Sequence, residues 1–224
     1  MKKPFLLTTV LVLIFNTMFS QQFITRYNGT GNGTDAVKAM ITDNAGNTYV
    51  TGSSFTTANS DDYITIKYNS SGVQQWTARY NGPGNGSDIP ASVFVDAAGS
   101  VYVTGRSDQL TGTFINDDAA TVKYNSNGVQ QWVARFDGVR QRADAGTAVK
   151  ADAAGNVYIT GYTTVRNGAY TKKDYLTIKY SGAGMQQWIA TYNGPARMMR
   201  LLVLGWMVQA ICMLQEPALQ ALIL

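Results

Sequence analysis

The chain has 224 residues, no histidine and a single cysteine, Cys212. The lack of imidazole removes the commonest general base and transition-metal ligand, and one thiol cannot form an intrachain disulfide, so a packed core must hold the fold. Most of the formal charge of +4 is carried by the two ends, since residues 21–196 hold fourteen Lys and Arg against thirteen Asp; with no basic stripe for phosphates, nucleic acid is excluded as a partner.

Residues 1–20 read as a signal peptide. Lys2 and Lys3 form a positive start, Phe5 to Phe15 an apolar stretch, and Ser20 the small residue before a cleavage point. Thr8, Thr9, Asn16 and Thr17 interrupt the run, short of the ~18 apolar residues of a membrane anchor. No Cys follows directly, which excludes a lipoprotein anchor. The chain is therefore expected to be secreted or displayed on the cell surface, with no membrane span once the signal is removed.

Residues 21–196 form a repeat domain. Three units superimpose, 27–79, 80–135 and 136–191, with spacings of 53 and 56 residues. A fixed period of this size signals a stacked or radial repeat. Each unit opens at an Asp (Asp35, Asp88, Asp144) and reaches a second Asp eight residues later (Asp43, Asp96, Asp152). Between them Met40/Thr42, Val93/Val95 and Val149/Ala151 alternate, predicting a first, half-buried strand. The turns DNAGN, DAAGS and DAAGN pair a capping Asp with a glycine free to adopt positive φ (Gly46, Gly99, Gly155).

The second strand is TYVTG, VYVTG or VYITG, rich in β-branched and aromatic residues. A variable loop follows (Ser53–Asp61, Arg106–Asp117, Tyr162–Lys173). The third strand is DYITIKYN, DAATVKYN or DYLTIKYS, and a Gly-containing turn leads to the fourth, VQQWTARY, VQQWVARF or MQQWIATY. Along the fourth strand Trp76, Ala78 and Tyr80 share one side, opposite Gln75, Thr77 and Arg79. Four strands with one Trp per ~50 residues describe a propeller blade. The expected fold is all-β: about three four-stranded antiparallel blades in an open arc, with Trp76, Trp132 and Trp188 largely buried between sheets. A β-solenoid is the alternative, though its coils are usually shorter and lack these hairpin turns.

The segments VDAAGSVYVTGRS, ADAAGNVYITGYT and TIKYNSSGVQQWTARYNG resemble the seven-bladed β-propeller (SBBP) repeat of exported bacterial proteins. The resemblance covers Tyr27 to Ala196 and implies a secreted or cell-surface protein, often with more blades, without implying an activity. Three units are fewer than the four to eight blades of a closed propeller.

The rhythm breaks after "YNGPA". Residues 197–224 carry four of the eight methionines and the only cysteine, and Leu201 to Leu214 is too short to span a membrane. Reading the tail in a shifted frame restores the pattern. Met198–Met199 forces an Asp codon, Trp206–Met207 another eight residues on, and Met207–Val208 a Gly. Cys212 to Glu216 then allows Tyr-Val-Thr-Gly, its Gly nine residues after the second Asp, as Gly52 stands nine after Asp43. The tail reads as a fourth repeat translated out of frame, so the chain is expected to be a truncated fragment.

Motifs for chemistry are sparse. Asp62, Asp118 and Asp174 align before the third strand and invite a calcium reading, but no loop has the ligand spacing a hard cation needs, and a turn-capping role is the better reading. Asn28, Asn32 and Asn85 begin glycosylation-like triplets that read instead as tight Asn-Gly turns. GTGNGT and GPGNGS lack the Lys and helix of a phosphate loop. Gln74-Gln75, Gln130-Gln131 and Gln186-Gln187 could face a sugar or quinone. No catalytic, cofactor-binding or metal-binding residue is assigned and no cofactor is implied. The expectation is a non-enzymatic module that contacts a protein or glycan through its variable loops and can self-associate through an open blade edge. The alternative is a fragment of a quinoprotein-like or glycan-acting propeller enzyme, although glycan hydrolysis generally needs paired carboxylates and these Asp residues are locked to turns.

Overall fold

The computed structural model describes residues 24–56, 60–109, 116–138, 142–167 and 170–193. Residues 1–23, with the expected signal peptide, and the tail from residue 194 lie outside them. Within them all regular structure is strand, in three sheets with no closed barrel. The first sheet holds β1 (Asp35–Thr42), β2 (Thr48–Thr56), β3 (Ser60–Tyr68) and β4 (Gln74–Tyr80). The second holds β5 (Asp88–Val95), β6 (Val101–Asp108), β7 (Asp117–Tyr124) and β8 (Gln130–Phe136), and the third β9 (Ala145–Ala151), β10 (Val157–Asn167), β11 (Tyr170–Tyr180) and β12 (Gln186–Tyr192). Each is an antiparallel meander in sequence order. The first strand of the middle blade, β5, packs against both β1 and β9. First strands therefore lie at the inner edge, and the blades form an open arc.

The turns are built as their residues dictate. Asp43 accepts from the N–H groups of Ala45 and Asn47 at 2.9 Å, and Gly46 sits at φ 78°. Asp96 and Asp152 repeat the turn, with Gly99 and Gly155 at φ 79° and 82°. The same carboxylates receive the hydroxyls of Tyr49, Tyr102 and Tyr158 from the second strand, which pins the turn to its hairpin.

The glycine of the Tyr-Val-Thr-Gly signature has a different cause. The first strand carries a β-bulge in every blade, between Val37 and Ala39, between Pro90 and Ser92, and in β9 where the register shifts at Thr160/Gly161. The bulge drives a backbone carbonyl toward the second strand. A Cβ on Gly52 or Gly105 would stand 2.2 Å from the Ala36 or Ile89 oxygen, and one on Gly161 would meet Ala145 more closely still. Only a residue without Cβ fits there.

The core lies between blades. Tyr49, Tyr63, Ala78 and Tyr80 of the first blade pack on Val93, Val101, Val103, Ala120, Val122 and Tyr124 of the second. Tyr102, Ala119 and Ala134 of the second pack on Val149, Val157, Ile159, Leu176, Ile178 and Tyr180 of the third. Each blade thus has a receiving face and an inserting face. On the first strand Val93/Val95 and Val149/Ala151 belong to the receiving face. Their equivalent Met40 is 63% exposed because no blade precedes the first, while Ala39 and Ile41 pack forward.

Two expectations are corrected. Trp76, Trp132 and Trp188 are half-buried rather than largely buried. Each stands on the outermost strand, so an edge of the indole faces solvent even where its ring covers the next blade. Trp76 lies between Tyr49 and Tyr124, Trp132 between Tyr102 and Tyr180. Their Nε1–H groups donate across the junction to the Ser126 and Gly182 carbonyls at 3.0 Å. The described parts of the variable loops Ser53–Asp61 and Tyr162–Lys173 are strand, and Arg106–Asp117 is strand at its two ends. β2 and β3 pair out to Thr56↔Ser60, β6 and β7 to Asp108↔Asp117, β10 and β11 to Asn167↔Tyr170. The ladder runs on because extended backbone groups are best satisfied by pairing, so the variable residues are hairpin tips.

Candidate functional site: the hairpin-tip end

Because the register puts Asp35 opposite Ser54 and Tyr63 opposite Tyr80, each β2–β3 type tip, the start of the first strand and the end of the fourth share one end of the blade. The opposite end carries the tight turns. Variation in sequence and burial of charge both concentrate at the tip end.

The link between blades is built on the opening Asp. Gly29, Gly82 and Gly138 donate N–H to Asp35, Asp88 and Asp144 respectively. Asn32 and Asn85 sit at φ 48° and 51°, with N–H bonds to the Gly29 and Gly82 carbonyls and side chains bonded to Asn28 and Asn81. These Asn-Gly sequences therefore serve as turns in the link.

The aligned Asp62, Asp118 and Asp174 are not turn caps. They lie inside β3, β7 and β11 and meet cations. Asp62 pairs with Arg79 at 3.1 Å and Asp118 with Arg135 at 2.9 Å. Arg135 also donates to the Ser107 hydroxyl and to the Tyr80 hydroxyl at 2.7 Å, reaching from the second blade to the first. Arg79 repeats the pattern on Ser54. In the third blade Thr191 stands where the others have Arg, and Asp174 lies 3.6 Å from Lys172 instead. The arginines were legible as a recurrence one residue before the closing aromatic (Arg26, Arg79, Arg135), but nothing local indicated their partners.

Burial dominates the electrostatics. It raises Asp62 and Asp118 above the usual carboxylate value despite the adjacent Arg79 and Arg135. Burial also raises Asp88 and Asp144, against the bonds they accept from Ser107 or Thr163 and from the link backbone. At the turn end, desolvation of Asp43 and Asp152 is outweighed by bonds from Asn47, Asn156 and the tyrosines, which hold both below the usual value. Burial, with Asp43 alongside, pushes Tyr49 up to about 12.

Above this layer the tips present varied chemistry. Arg106 pairs with Asp117 at 2.7 Å, Lys173 lies 3.5 Å above the Tyr162 ring, and Phe55 is partly exposed. Among the described residues no three His, Cys, Asp or Glu side chains converge as a metal shell would require. The Gln pairs 74–75, 130–131 and 186–187 lie exposed along the outer strands, away from the tips. No described helix is long and apolar enough to cross a membrane. The chain matches no family model and no curated protein.

Proposed function

We propose that this chain is an exported, non-enzymatic propeller-type module, related to the SBBP repeat proteins it resembles, that binds a protein or glycan through its hairpin tips. The observation that carries the reading is the division of labour at the tip end. Asp62, Asp88, Asp118 and Asp144 are buried, and with the half-buried Arg79 and Arg135 they are engaged in ion pairs and inter-blade links. The residues that differ between repeats are the ones displayed above them. Regular scaffold below and variable residues at the tips is the arrangement of a binding surface. Probing glycan and protein arrays with the chain tests it. Reproducible binding that is lost on Arg106→Ala or Lys173→Ala, without chemical change to the ligand, supports the proposal; turnover of any arrayed ligand contradicts it.

Export is read by sequencing the amino terminus of the secreted protein, expected at Gln21. The tail is proposed to be a fourth repeat out of frame. Resequencing the locus across the Ala196 codon is expected to recover a frame encoding two Asp eight residues apart and then Tyr-Val-Thr-Gly. A stop directly after Leu224 in both frames contradicts it.

A further inference from the structure

The sequence before the first blade, Gln21-Gln-Phe-Ile-Thr-Arg-Tyr-Asn-Gly29, copies the end of a fourth strand, Gln74-Gln-Trp-Thr-Ala-Arg-Tyr-Asn-Gly82. Residues 1–20 before it carry no copy of the first three strands of the repeat. Its described part nevertheless sits where such a strand belongs. Tyr27 packs on Ile64, Ile66, Tyr68 and Val50. Their repeat equivalents in the second blade include Ala120, Val122, Tyr124 and Val103, the residues that receive Tyr80. The link that follows is the same as between blades: Gly29 N–H to Asp35 at 2.9 Å, Asn28 to Asn32 at 2.8 Å. The seating is loose, however. Ile24 is 82% exposed, residues 24–27 form no strand, and a cleft of about 240 Å³ lined by Thr25, Tyr27, Ile64 and Ile66 remains.

The other end of the arc is the matching half. Trp188, Ala190 and Tyr192 of β12 repeat the inserting side of β4 and β8, and Tyr192 is 59% exposed. Trp76 and Trp132 each lie over a positive-φ glycine of the next blade, Gly128 and Gly184, and donate to a carbonyl two residues before it. Trp188 finds no such acceptor among the described residues. On the first blade, Gly72 at φ 75° and the Ser70 carbonyl occupy the equivalent places.

We infer that the third blade of one copy docks on the first blade of a second copy. The described arm, residues 24–27, is the placeholder that docking displaces. The occupant is defined by the junctions already inside the chain: the end faces carry the two sides of one interface, used twice within each copy. Trp188 goes to Gly72 and the Ser70 carbonyl of the second copy, and Tyr192 takes the place of Tyr27. Such head-to-tail contact either closes a ring or runs on. Two copies supply six described blades, within the four to eight of closed propellers, and three copies would exceed it. A complete four-stranded blade outcompetes the short arm at 24–27 because it brings its own sheet, whereas the arm forms no strand.

Sedimentation equilibrium on the full chain starting at Gln21 tests this. The expected result is a two-copy species that dissociates on dilution. An arm that keeps the receiving face only about one-tenth free weakens apparent docking about tenfold, so deleting residues 21–27, or Tyr27→Ala, should tighten association by up to that factor. Trp188→Arg should yield single copies with an unchanged far-ultraviolet dichroism spectrum, since that face supports no other blade in the single chain. Single copies at all concentrations in both arm variants would overturn the proposal. So would association that survives Trp188→Arg, or an open series of masses beyond two copies.

Discussion

At the residue scale, the three tryptophans separate packing from mere presence. Trp132 is enclosed by Tyr102, Tyr180 and Gly184. Truncating a fully buried aromatic costs about 3–5 kcal/mol, so the half-buried Trp132→Ala should cost about 2–3. Trp188 touches Tyr158 of its own blade, and Trp188→Ala should cost less than about 1 kcal/mol in the single chain. Urea unfolding of both variants reads the difference, and equal losses would contradict the assignment of Trp188 to an uncovered face. The ionisable residues predict an unusual pH profile. Asp62, Asp88, Asp118 and Asp144 are raised by burial above 3.8, so the folded state binds more protons than the unfolded one between 3.8 and their folded values. Stability from these groups therefore increases as pH falls toward about 4. Asp43 and Asp152 are lowered, and their contribution is present above 3.8 and lost as pH falls through their folded values. The melting midpoint should rise on mild acidification from neutral pH and fall only below about 4; a steady decline from pH 7 downward contradicts this. The recurring tryptophans and the capping Asp43 and Asp152 were legible in the sequence; the buried, paired acids were not. The alignment of Asp62 with Asp118 was visible, but whether a carboxylate caps a turn or pairs with an arginine seventeen residues on depends on strand register.

At the scale of the element, the glycines isolate what a junction contributes. Gly128 and Gly155 both close hairpin turns at positive φ, 79° and 82°. A Cβ at Gly155 meets nothing within 4 Å, while one at Gly128 would stand 2.6 Å from the Trp76 ring. Left-handed backbone costs a non-glycine residue about 1–2 kcal/mol. Gly155→Ala should show that cost alone. Gly128→Ala should exceed it, because the indole must also move, and the excess should vanish in a Trp76→Ala background. An excess that persists without Trp76 would mean that the turn itself, not the junction, is strained. Strand identity and order were legible because alternation, turn glycines and repetition agreed at every unit. The hairpin tips were not: Ser53–Asp61 and Tyr162–Lys173 lack alternation, yet their backbones still pair. Gln21–Tyr27 was missed for a different reason. It is a lone fragment of the repeat that ends where the first full unit begins, with Phe23 in place of the recurring Trp.

For the whole molecule, the arc makes the blades unequal although their sequences are near-copies. The middle blade is covered on both faces, by Trp76, Ala78 and Tyr80 on one side and by Leu176, Ile178 and Tyr180 on the other. Among the described residues the first blade has the short arm at 24–27 on its receiving face, and the third has Tyr192 open. Local opening free energies follow such differences in burial. Blade number and the open state were legible from the repeat count, since three units fall short of a ring. The pairing of one end face with the other became visible only once each side chain could be assigned to a receiving or an inserting face. The most direct test is amide hydrogen exchange resolved strand by strand, at a dilution where the chain is single. The three-blade arc predicts that β6 and β7 exchange most slowly, that β2, β3, β10 and β11 exchange faster, and that β12 is the least protected strand. Protection of β10 to β12 equal to or greater than that of β6 and β7 would contradict it.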